Sequence, residues 1–144
     1  MFVADAKQCF GIEATAKEYF VEEIKASGVK TNHFLKLPDK NLNFDKDPSF
    51  KSWSGAHQQR AEELIGGVKS LDDCERLLMD RKNCEDGQAI CSTPSEAKGY
   101  TYSAMVFDTK NKLVRYAQGC PSEVGFKEYS FSKLPGRGDK EQVD

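Results

Sequence analysis

The chain has 144 residues, with 21 Lys and Arg against 23 Asp and Glu and a formal net charge of −2. That length suits a single domain. The charges are spread along the chain, which leaves no clustered basic face for nucleic acid, and no window approaches the roughly 18 apolar residues of a membrane span. In the opening MFVADAKQCF, Asp5 and Lys7 interrupt any basic-then-apolar leader, so a cytoplasmic protein with neither nucleic acid nor membrane as partner is expected.

Cys9 to Thr15 (CFGIEAT) alternates loosely, with Phe10 and Ile12 on one face, and reads as a strand. TAKE is a hairpin turn, and EYFVEEIKA is a second strand carrying Tyr19, Val21 and Ile24. Ser27-Gly28 turns into VKTNHFL, a third short strand, and the polar stretch from Lys36 to Ser49 is a loop. A helix is predicted from Ser52 or Ser54 as cap through HQQRAEELI to Gly66-Gly67, with Ala61, Leu64 and Ile65 facing the core. Ser70 to Asp73 (SLDD) is a capping-box pattern opening a second helix, whose apolar face is Leu71, Cys74, Leu77 and Leu78 and whose end is near Asp80. RKNCEDGQ is a loop, and AICSTP is an extended segment stopped by Pro94. Ser103 to Phe107 and Leu113 to Ala117 form a hairpin across DTKNK, and Gly125 to Phe131 is a final strand. The tail 132–144 is charged, holds Pro and Gly, and is expected to be disordered. The fold class is therefore α+β, with antiparallel sheets and two central helices in one domain over residues 1–131.

Cys9, Cys74, Cys84, Cys91 and Cys120 are an odd number without a CxxC pair, and neither His33 nor His57 completes a zinc set, so no metal is expected. In a cytoplasmic protein these cysteines are expected to be reduced, small buried hydrophobes. His57, near the start of the first helix, is expected to face solvent.

GIEAT, KTNHFL, SW with QQRAEEL, AICSTP, YSAMVFDTKNK and GCPSEVGFKEYSF, in that order, make the chain from Cys9 to Phe131 resemble the isopenicillin-N acyltransferase and carcinine hydrolase group. These are cysteine N-terminal-nucleophile enzymes with an αββα sandwich that make or break linear amide bonds. The resemblance extends to the C-terminal part of that fold only. It implies that Asn32 is an oxyanion donor, a neutral directional N–H placed where the carbonyl oxygen becomes negative. It also puts His33, Cys91 and Gln118 near a small-molecule amide substrate, with acyl-coenzyme A as a possible co-substrate and no other cofactor. If KTNHFL is a strand, His33 points to the face opposite Asn32 and is a hydrogen-bonded structural group rather than a base.

The chemistry of that group requires a cysteine whose α-amino group serves as its base, and the matching text begins after the part of the fold that carries it. Cys9, followed by Phe10-Gly11 within a strand, is a poor substitute. Ala89, Ser92-Thr93 and Gln118 also stand where relatives often carry Ser, Arg-His and Arg, and of the positive charge expected in the first helix Arg60 remains. Two readings follow: a C-terminal portion or subunit of an amidohydrolase or acyltransferase, inactive alone; or a non-catalytic remnant or partner-binding half-domain. Either implies an uncovered apolar sheet face, met by a second polypeptide or by self-association.

Overall fold

The computed structural model describes residues 1–37, 48–94 and 100–131. The expected disorder of the 132–144 tail and most of the expected 36–49 loop lie outside the described residues. The chain folds as α+β, with two three-stranded antiparallel sheets and a few helices.

The first sheet runs β1 (Phe2–Ala4), β2 (Cys9–Ala14), β3 (Tyr19–Glu23) in spatial order. The sequence reading did not include β1. Three residues with no alternation are too short a signal, and the strand exists because Phe2, Val3 and Ala4 pair with Gly11, Phe10 and Cys9. The β2–β3 turn is closed by the Thr15 hydroxyl, whose oxygen accepts from the N–H groups of Lys17 (3.1 Å) and Glu18 (2.9 Å).

The expected third strand at VKTNHFL is not one. Residues 29–37 form no ladder and instead cross one face of the first sheet through a series of bends. The physical reason is Lys30, whose ammonium sits 3.0 Å from Glu13 and 3.2 Å from Glu22 on the β2 and β3 surface. Its stem passes directly over Gly11, where a Cβ would stand 2.7 Å from Lys30 Cε. A side chain at position 11 would push the Lys30 stem aside.

Helix α1 spans Pro48–Ile65, four or more residues earlier than the expected caps, because Pro48 begins it in the position where a missing N–H costs nothing. Ser54 therefore lies inside the helix. The buried positions Ser54, Gln58 and Ala61 share one stripe at i, i+4, i+7 spacing, so much of the inward face is polar. Helix α2 (Leu71–Leu78) is capped as expected: Ser70 Oγ accepts from Asp73 N–H, while the Asp73 carboxylate accepts from Lys69 N–H and from the Ser70 hydroxyl. A short 3₁₀ turn, Cys84–Asp86, follows.

The second sheet runs β4 (Ala104–Asp108), β5 (Leu113–Ala117), then β6 (Lys127–Ser130) after the short α3 (Pro121–Val124). One face meets α2, where Arg115 on β5 donates to Asp72 (2.7 Å) and Glu75 (3.1 Å) and also to Glu128 on β6 (3.0 Å). Met105, Phe107, Tyr129 and Phe131 alternate onto the other face and stay 47–59% exposed. Val3, Tyr19 and Val21 on the first sheet are similarly uncovered, on the face away from Lys30. The residues that do bury fully are small, among them Ala89, Cys91, Ala117, Cys120 and Pro121.

The α1 and α2 ends are joined by Arg60, which forks onto Asp80 through Nε (2.9 Å) and Nη2 (2.6 Å). The Arg60 hydrogen bonds hold the Asp80 carboxyl below its ordinary range against the effect of burial. Cys91 and Cys120 form a disulfide with Cα atoms 5.8 Å apart, and Cys9, Cys74 and Cys84 are free. This corrects the expectation of five reduced thiols: the chain folds the 89–93 segment against the β5–α3 turn, a proximity that spacing in sequence does not reveal. Among the described residues no helix is long and apolar enough to cross a membrane.

Candidate functional site

A concavity of about 290 Å³ lies where the 30–34 segment crosses β2, lined by Ile12, Glu13, Lys30, Asn32, His33 and Phe34 among others. Two grips hold its wall. From below, Glu13 accepts from Lys30 Nζ and Leu35 N–H through Oε1 (both 3.0 Å), and from Lys36 (2.9 Å) and Leu37 (3.0 Å) N–H through Oε2. One carboxylate thus binds the chain immediately before and after residues 31–34. Burial by itself raises the Glu13 pKa, but the three backbone N–H groups and the Lys30 ammonium outweigh it and bring it down to about 2.

From the side, α1 presents Ser54. Its buried hydroxyl accepts the Asn32 backbone N–H at 3.2 Å and stands 2.8 Å from His33 Nδ1. Thr31 Oγ1 lies 3.1 Å from the same Nδ1, 3.3 Å from Ser54 Oγ, 3.2 Å from Gln58 Oε1 and 3.3 Å from the Ser54 carbonyl. These contacts turn Thr31 and the Nδ1 side of His33 inward.

Asn32 is exposed, and its side-chain amide has no hydrogen-bond partner among the described residues. The backbone that carries Asn32 is gripped from both sides, while its side-chain amide is fixed by nothing among the described residues. His33 lines the same concavity. Without a ladder there is no two-residue alternation to set the two side chains on opposite faces.

The remaining expected site residues lie elsewhere. Cys91 is wholly buried in its disulfide, 3.5 Å from Ser122 Oγ, and Gln118 is exposed in the turn after β5. Neither lines the concavity. His57 is not solvent-facing: its ring nitrogens lie 2.8 Å from the carbonyls of Trp53 and Ala89, tying α1 to the segment that leads into Cys91. No group of three or more His, Cys, Asp or Glu residues among the described residues is arranged to hold a metal ion.

Glu13, Lys30, Thr31 and Gln58 build the site without a sequence signal of that role, and Ser54, expected as a helix cap, joins them. The glycine two positions before Glu13 and the lysine just ahead of TNHF are the only local hints, and neither says that the two side chains meet. No family model, curated protein or solved structure matches the chain.

Proposed function

We propose that this chain is the carbonyl-binding, C-terminal portion of a cysteine N-terminal-nucleophile amidohydrolase or acyltransferase of the isopenicillin-N acyltransferase kind. Its substrates are linear amides, and another segment or polypeptide supplies the cysteine. The observation that carries this reading is the Asn32 amide, unpartnered on a wall that Glu13 and Ser54 hold in place. The cysteines are elsewhere: Cys9 is part of β2 and Cys91 is bonded to Cys120. The chain alone is expected to leave an acyl p-nitroanilide unhydrolysed. Combined with a polypeptide presenting an N-terminal cysteine, it should turn that amide over. Asn32→Ala should then lower kcat roughly 10²–10³-fold with KM little changed. An unaltered kcat in that variant would sink the assignment.

The uncovered sheet faces favour a second reading, a partner-binding half-domain without turnover. Association without any hydrolysis in the combined sample would select it. The cytoplasmic placement expected from the sequence stands against the Cys91–Cys120 disulfide, because stable disulfides are rare in reducing compartments. Trapping the thiols of the protein as it leaves the cell decides the point.

A further inference from the structure

We propose that His33 is not scaffolding but the hydrogen-bond acceptor of the concavity: a part-buried relay of Gln58, Thr31 and Ser54 places its proton on Nδ1 and leaves the Nε2 lone pair to meet a ligand N–H beside the Asn32 donor.

The relay can be followed proton by proton. The Gln58 amide nitrogen donates to the Glu62 carboxylate (2.7 Å) and to the Val29 carbonyl (3.3 Å), two groups that only accept. The amide is thereby oriented, and its Oε1 is turned to Thr31 as an acceptor. Thr31 has one hydroxyl proton, and two of its neighbours, Gln58 Oε1 and the Ser54 carbonyl, can only accept it. Thr31 Oγ1 therefore accepts from its remaining neighbours, Ser54 Oγ at 3.3 Å and His33 Nδ1 at 3.1 Å. If the Ser54 proton goes to Thr31, the Ser54 oxygen accepts Asn32 N–H and, at 2.8 Å, His33 Nδ1–H. Every donor is then paired. The opposite arrangement, Ser54 donating to a bare Nδ1, sets the Thr31 oxygen lone pairs 3.1 Å from the Nδ1 lone pair and leaves Thr31 Oγ1 accepting from nothing. In this part-buried network that repulsion and the lost bond favour the proton on Nδ1.

Nε2 has no hydrogen-bond partner among the described residues, and His33 borders the concavity. A donor from Asn32 and an acceptor from His33 fit a ligand whose carbonyl oxygen and N–H lie on one edge, which is a primary amide; a secondary linear amide is trans and turns its N–H to the opposite side. The ligand class rests on the reading of Asn32 given above; the tautomer does not.

Two-bond ¹H–¹⁵N spectra of the intact chain at about pH 8, where an ordinary imidazole is neutral, report the tautomer without any ligand. The expected result is Nδ1–H in the native chain and a shift toward Nε2–H in Thr31→Val. An Nε2–H ring in the native chain overturns the proposal, as does a Thr31→Val ring that stays Nδ1–H. Should the variant fail to fold, the native spectrum alone decides. Titration with acetamide is then expected to move both the Asn32 side-chain and His33 Nε2 resonances, whereas N,N-dimethylacetamide, which has no N–H, moves only the first. Equal Nε2 shifts with both probes overturn the acceptor role. No Asn32 shift with either probe removes the donor reading of Asn32 and leaves the tautomer to be judged on its own spectrum.

Discussion

With only 4% of its surface exposed, Glu13 accepts from one ammonium and three consecutive backbone N–H groups, so its charge is matched on every side. A carboxylate held this way is more stable ionised in the folded chain than in the unfolded one. Its pKa falls from an ordinary 4.5 to about 2. A depressed carboxylate contributes stability above the unfolded pKa and loses it as pH falls through the folded pKa. Glu13 should therefore contribute on the order of 3 kcal/mol near neutrality, all of it lost between about pH 4.5 and 2. In urea unfolding across that range, the native chain should lose its advantage over Glu13→Gln as acid is added. Parallel curves would show that the clamp is not electrostatic. Gly11 leaves room for the Lys30 stem on its way to Glu13. The grip of Glu13 was not legible from FGIEA, because a glutamate on a strand is ordinarily a solvated side chain; its partners lie 17 to 24 residues away.

Among elements, the 89–93 segment depends most on long-range ties. It lies outside regular structure, yet Ala89, Cys91, Ser92 and Thr93 are buried. It is held by Cys91 N–H to the Asp80 carbonyl (2.9 Å), by His57 to the Ala89 carbonyl (2.8 Å), by Ser92 to Thr101, and by the disulfide to Cys120. Closing a loop of 29 residues restricts the unfolded chain by about 3–4 kcal/mol. The oxidised chain should accordingly unfold at higher urea concentration than the reduced chain by that margin. Three thiols, those of Cys9, Cys74 and Cys84, should react with Ellman's reagent in denaturant without reductant. Five reactive thiols would remove the disulfide. The α2 cap and the β4–β5 hairpin were readable in advance, since Ser70, Asp73 and the turn at Asp108–Lys112 act within a few residues. The start of α1 was misread by the same local logic. Ser52 and Ser54 look like caps, but Pro48 already occupies the first turn, and Ser54 is drawn inward to Asn32 and His33.

For the whole molecule, many of the larger apolar side chains among the described residues lie at the surface. Small residues fill the centre, while Met105, Phe107, Tyr129 and Phe131 line an open sheet face and Tyr19 and Val21 line another. Faces of this kind are closed by another surface or drive association. The purified chain should sediment as a concentration-dependent oligomer and bind a hydrophobic dye. Phe107→Lys, on the exposed side of β4, should weaken both effects with little change in fold, because the face against α2 is untouched. A monomer at all concentrations that leaves the dye dark would mean that the faces need no cover.

The amino-acid sequence by itself determined what depends on neighbours in the chain: the α+β class, the β2–β3 and β4–β5 hairpins and the Ser70 cap. Tertiary structure alone decided that 29–37 is a clamped crossing rather than a strand, that Asn32 and His33 share one concavity, and that Cys91 meets Cys120. Hydrogen bonds within a turn or cap are set by spacing of a few residues. A buried carboxylate, a relay of hydroxyls or a disulfide takes its partners from 17 to 29 residues away, and only the folded chain brings them together.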